Sequence, residues 1–163
     1  MMVMSKPLVY IETSVVSYLT ARPSRDLLTA ARQAWTREWW EIAPIHWEVG
    51  ISELVIEEAG RGDQRAAALR LNALKGLPIL SNSNEARMLA RSLIEAGALP
   101  QSESEDALHI AIATIQGAHY LVSWNFAHLV GPDAKLRLLD TLRTNGHNPA
   151  LLTTPEELLE IVK

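Results

Sequence analysis

Cysteine is missing from this 163-residue chain. Its absence excludes disulfides, thiolate zinc sites and cysteine nucleophiles, and it fits a reducing cytoplasm. Long apolar runs are missing too, since none approaches the roughly 20 residues of a transmembrane helix. Residues 1–7 carry one Lys and no apolar stretch of the kind a signal peptide needs. A cytoplasmic protein that does not enter a membrane is expected. A basic excess is also lacking: Lys and Arg number 15 against 19 Asp and Glu, a net charge of -4. A chain of that sign meets nucleic acid only locally, transiently or with the help of a metal. There is no P-loop, no G-x-G-x-x-G turn and no Ser-His-Asp ordering that argues for a hydrolytic triad.

What is present is a chain 48% hydrophobic and 21% charged, the composition of a folded globular protein. Its length suits a single domain over residues 1–163. Short apolar runs alternate with helical patterns. LVYI at 8–11, residues 45–49, GLPIL at 76–80, YLVS at 120–123 and residues 150–152 read as strands. The first helix is expected to be capped by Thr13 or Ser14, and the second to be capped by Ser24, to run over 25–42 and to stop at Ala43-Pro44. Later helices are capped by Ser52, by Asp63, by a Ser102–Glu105 capping box and by Thr154 ahead of Pro155. Uninterrupted apolar strands between helices predict an α/β layered fold with a mostly parallel sheet buried on both faces. Ligands of such sheets bind beyond the carboxyl ends of the strands.

Four polar positions stand beside apolar sequence at element ends: Glu12, Glu58, Asp106 and Asn125. Three carboxylates and an amide brought to one point make a site for a hard divalent cation, Mg²⁺ or Mn²⁺, which with water hydrolyses phosphodiesters. Each also has an ordinary reading. Glu12 and Asp106 sit where helix starts favour acids, Glu58 is within reach of Arg61, and Asn125 suits a turn. Glu103, Glu105 and Asp106 repel one another, and a cation relieves that. His109, three residues after Asp106, reads most simply as a partly buried histidine bonded to backbone. Four of the five Trp fall between 35 and 47 near several Arg. They read as core and partner interface ahead of RNA stacking.

VYIETSVVSYL, ISELVIEEAGRGD, SEDALHIAIAT and YLVSWNFAHL, in this order and spacing, resemble the PIN-domain family, close to the VapC-type toxin ribonucleases of toxin–antitoxin pairs. The resemblance covers nearly the whole chain. It implies a PIN-like three-layer sandwich with a central parallel sheet and an acidic centre dependent on Mg²⁺ or Mn²⁺. It implies endoribonuclease activity that leaves a 5′-phosphate and a 3′-hydroxyl. Glu58 and Asp106 match the family's metal-holding acids, Asn125 matches a variant of the last position, and Glu12 stands where the pattern has Asp. Ser123 falls where a Thr or Ser helps to place water or metal. A cognate antitoxin that sets a basic side chain among the acids is implied, and a homodimer is common. The alternative is a PIN-like module that binds antitoxin or RNA without cleavage. A non-nuclease α/β protein whose acids are only caps is the third.

Overall fold

The computed structural model describes residues 5–126 and 132–163. The end of YLVSWNFAHL, from Ala127 on, lies outside the described residues, as do the first four of the chain. Five strands form one sheet: β1 (Leu8–Ile11), β2 (Glu48–Ser52), β3 (Ile79–Leu80), β4 (Tyr120–Val122) and β5 (Leu151–Thr153). Their order is β3-β2-β1-β4-β5 and every pairing is parallel. Eight helices lie among the described residues: α1 (Thr13–Thr20), α2 (Leu27–His46), α3 (Glu53–Ala59), α4 (Gln64–Leu74), α5 (Asn84–Glu95), α6 (Ser104–Ile115), α7 (Pro132–Thr144) and α8 (Pro155–Val162). The architecture is the expected α/β layering. α1 packs on α2, α3 and α4, and α8 packs on α2. α5 packs on α6 and α7. Two helix groups flanking one sheet make three layers.

The central strands β1 and β4 are apolar throughout because both of their faces are covered. Val9, Tyr10, Ile11, Leu121 and Val122 are all fully buried. The chain runs outward from β1 through β2 to β3, then crosses back to β4 and β5 on the other side. Strand order therefore reverses between β1 and β4, which opens a crevice at their carboxyl ends. Glu12 and Ser123 are the first residues past those two ends.

Several boundaries differ from the sequence reading. α2 does not stop at Ala43-Pro44 but continues to His46. Pro44 removes a single backbone donor in the last turn. The buried side chains of Trp39 and Ala43, with Trp47 just beyond, hold that turn against the core. β2 starts at Glu48 in consequence, and Ile45 is left 66% exposed. Asp26 caps α2 through Thr29 N–H at 2.9 Å, while Ser24 accepts from Asp26 N–H instead. Ser52, Asp63 and Thr154 cap as expected. The Ser102–Glu105 capping box does not form: residues 101–103 make a 3₁₀ turn, and α6 starts at Ser104 with no side-chain cap. β3 is only two residues long.

The largest side chain of the core is Trp39, fully buried on α2 and packed on Trp47 with ring centroids 6.0 Å apart. Its indole N–H has no acceptor among the described residues, so its hold is apolar. Trp39→Ala is expected to destabilise by about 3–5 kcal/mol, read as a lower urea midpoint with an unchanged slope.

Candidate active site

Glu12 begins the site and also caps α1. Both carboxylate oxygens accept from Ser14 N–H, at 2.9 and 3.0 Å, and Ser123 Oγ donates to Oε1 at 2.8 Å. The cap is thus the residue before Thr13, and its longer side chain folds back onto the helix start. With 3% exposure the carboxylate is sealed, and helix N-terminus and hydroxyl together stabilise it there. Ser123 Oγ in turn accepts from Asn125 N–H at 2.9 Å. One hydroxyl therefore ties the ends of β1 and β4 together and sets the turn that carries Asn125.

The residue between them, Trp124, is held on every side. Its backbone N–H donates to Ser14 Oγ at 2.8 Å and its indole N–H to Thr36 Oγ1 at 2.9 Å. Trp35 stacks on it at 6.3 Å, Tyr18 leans on it at 6.0 Å, and the Arg32 guanidinium lies 5.3 Å from the ring centre. Trp35 and Arg32 serve the packing of this turn, in line with the core reading of the tryptophans.

α3 delivers Glu58 and α6 delivers Asp106. The ordinary partner expected for Glu58 is not used, because Arg61 pairs with Glu57 and Glu105. Glu58 Oε1 instead accepts from Thr13 Oγ1 and from His109 Nε2, both at 2.6 Å. Burial alone raises this carboxyl. The hydrogen bond from His109, with those from Glu105 and Thr13, outweighs it and holds Glu58 well below the usual range. His109 is fully buried, and its other nitrogen meets Tyr10 Oη at 2.6 Å, not backbone as the sequence suggested. Tyr10 Oη also meets Ser52 Oγ at 2.7 Å. Burial drives the Tyr10 phenol far above its ordinary pKa, so it stays neutral.

Asp106 is 7% exposed. Burial and then the Glu12 carboxylate push it up to about 7, with Glu103 adding through charge and a hydrogen bond. A cavity of about 340 Å³ opens here, lined by Glu58, Ser102, Glu103, Ser104, Glu105, Asp106 and Asn125. Three of the four expected residues thus share one cavity, with Glu103 and Glu105 added to them. Glu12 does not line it but acts on Asp106 through its field. A neighbouring hollow of about 520 Å³ between α5 and α6 shares Ser104 and Glu105 with it and is flanked by Arg87 and Arg91.

The lining offers hard oxygen donors and no cationic side chain, a donor chemistry that suits Mg²⁺ or Mn²⁺. Among the described residues, however, no group of three or more His, Asp or Glu side chains is arranged to hold a metal ion. Tyr10, Ser52 and Thr13 are site residues that sequence reasoning missed. A tyrosine centred in an apolar strand was the available signal for the first, since its hydroxyl has to find a buried partner.

No family model, curated protein or solved structure matches the chain.

Proposed function

We propose that the chain is a metal-dependent endoribonuclease of the PIN-domain, VapC-like kind, the toxin of a toxin–antitoxin pair. The observation that carries the proposal is the acidic cavity at the sheet's switch point, where Asp106 is pushed up to about 7 by burial and by carboxylates without a cation among the lining. Glu58, Asp106 and Asn125 would hold Mg²⁺ or Mn²⁺. When bound, such a cation supplies Lewis acidity toward a phosphodiester and lowers the pKa of water. Glu58 enters already ionised, because Thr13 and His109 hydrogen-bond its charged form. Glu12 adds negative field without lining the cavity, and Ser123 places both Glu12 and the Asn125 turn. Arg87 and Arg91 in the adjoining hollow give a flanking RNA phosphate the counter-charge that the acids do not. An antitoxin in this proposal sets a basic side chain in the same acidic cavity, and pairing of two copies is part of it. No helix among the described residues is long and apolar enough to cross a membrane.

A second reading is a module that binds antitoxin or RNA without cutting. It is favoured by the sealed Glu12 and by the lack, among the described residues, of three acids convergent enough to hold a metal. Single-stranded RNA incubated with purified protein in Mn²⁺ separates the two. Cleavage by the parent that stops in EDTA is the expected result. If the parent cuts nothing and Glu12→Asp cuts well, the binding module replaces the nuclease.

A further inference from the structure

Ser52, Tyr10, His109 and Glu58 form an unbroken hydrogen-bonded chain from the end of β2, through β1 and α6, to the acidic cavity. The first three are fully buried, so each proton in the chain needs an acceptor within the protein. Ser52 Oγ accepts from Val55 N–H at 3.4 Å as the cap of α3. Its hydroxyl proton then has one acceptor among the described residues, Tyr10 Oη. The Tyr10 proton, displaced from Ser52, goes to His109 Nδ1, which must present a lone pair. His109 therefore carries its proton on Nε2 and donates it to Glu58. The reverse direction puts protons on both ring nitrogens and turns Tyr10 toward Ser52. It strands the Ser52 proton in a dry interior, an arrangement that burial penalises.

We infer that Tyr10 and Ser52 are positioning residues for Glu58. They hold His109 in the Nε2–H tautomer, and His109 with Thr13 pins Glu58 by Oε1 while the side chain lines the cavity. Four elements of the fold thus converge on the placement of one carboxylate. The inference rests on the nuclease reading for the use made of Glu58, but the chain of bonds stands without it. Partners behind a ligand carboxylate or imidazole commonly change metal affinity by 10–100-fold when removed.

The test uses the full chain labelled with ¹⁵N-histidine. His109 is assigned among the five histidines by the signal lost in His109→Gln. The parent is expected to show His109 as a neutral ring with the proton on Nε2. Tyr10→Phe, which keeps the ring and removes only the hydroxyl, is expected to give a mixture of tautomers and to weaken Mn²⁺ binding, followed by electron paramagnetic resonance, about tenfold. Leu158→Ala, a cavity made in α8, is a control for simple destabilisation and is expected to change neither. The inference is overturned by a parent ring protonated on Nδ1 or on both nitrogens. It is equally overturned by a Tyr10→Phe protein with an unaltered spectrum, or with an altered spectrum and Mn²⁺ binding equal to the parent. A parent that binds no Mn²⁺ and cuts no RNA removes the nuclease reading, and the spectra of parent and Tyr10→Phe then decide the positioning chain alone.

Discussion

Asp106→Asn is expected to raise the melting temperature of the metal-free protein at pH 8 while reducing Mn²⁺-dependent RNA cleavage by at least about 100-fold. Both effects have one cause. In the folded chain Asp106 sits at about 7, above the ordinary 3.8, because burial and the Glu12 carboxylate penalise its charge. A carboxyl raised in this way contributes stability that is complete below pH 3.8 and is lost as pH rises through about 7. At pH 8 the parent carries nearly the full penalty, and the neutral amide removes it, a gain of up to about 4 kcal/mol before screening through the open cavity lowers it. The amide can still donate to Glu103. The same charge that weakens the empty fold is what a cation would bind, so activity and stability move in opposite directions. Thermal melts at pH 5 and pH 8 check the argument, since the gain should shrink at pH 5. Equal cleavage by parent and Asp106→Asn would remove Asp106 from the site.

His109→Leu is expected to be the most damaging single change near the site, costing about 3–5 kcal/mol and on the order of 10 °C in melting temperature. Leucine fills the space, so the loss is not a cavity effect. It is the stranding of two partners: the Glu58 carboxylate loses a donor at 2.6 Å, and the fully buried Tyr10 hydroxyl loses its acceptor. The double variant His109→Leu with Glu58→Gln is expected to recover part of the loss, because the amide no longer brings a charge to the interior. Chemical denaturation of the four proteins closes the cycle. If His109→Leu lies within about 1 kcal/mol of the parent, the pair is not holding the fold.

The alternation of strand and helix was legible in the sequence because a sheet covered on both faces leaves short unbroken apolar runs. Caps at Ser52, Asp63 and Thr154 were legible because their side chains bond backbone three residues away. The end of α2 was not, since the cost of Pro44 is local whereas the burial of Trp39 and Trp47 that overrides it is tertiary. Local pattern singled out Glu12, Glu58, Asp106 and Asn125, of which the last three line the acidic cavity. It did not find what each is bonded to. Glu58 was matched with Arg61 by helical spacing, but its partners Thr13 and His109 are 45 and 51 residues away in sequence. Three-residue and four-residue periodicities cannot report such distances. The sealing of Glu12 was hidden for a further reason: glutamate is not among the preferred helix caps, so Thr13 and Ser14 were the caps expected, whereas both Glu12 oxygens accept from Ser14 N–H.

The pairing of β1 with β4 also orders events during synthesis. β1 is made before the other four strands, yet its carboxyl end is not complete until Ser123 bonds Glu12 across 111 residues. Contacts of such separation form late and slow the folding of parallel sheets. A nascent chain that holds β1, β2 and β3 already carries Glu12 and Glu58 but has neither Asp106 nor the turn at Asn125. The acidic cavity is therefore complete only once α6 has folded and β4 has been inserted between β1 and β5.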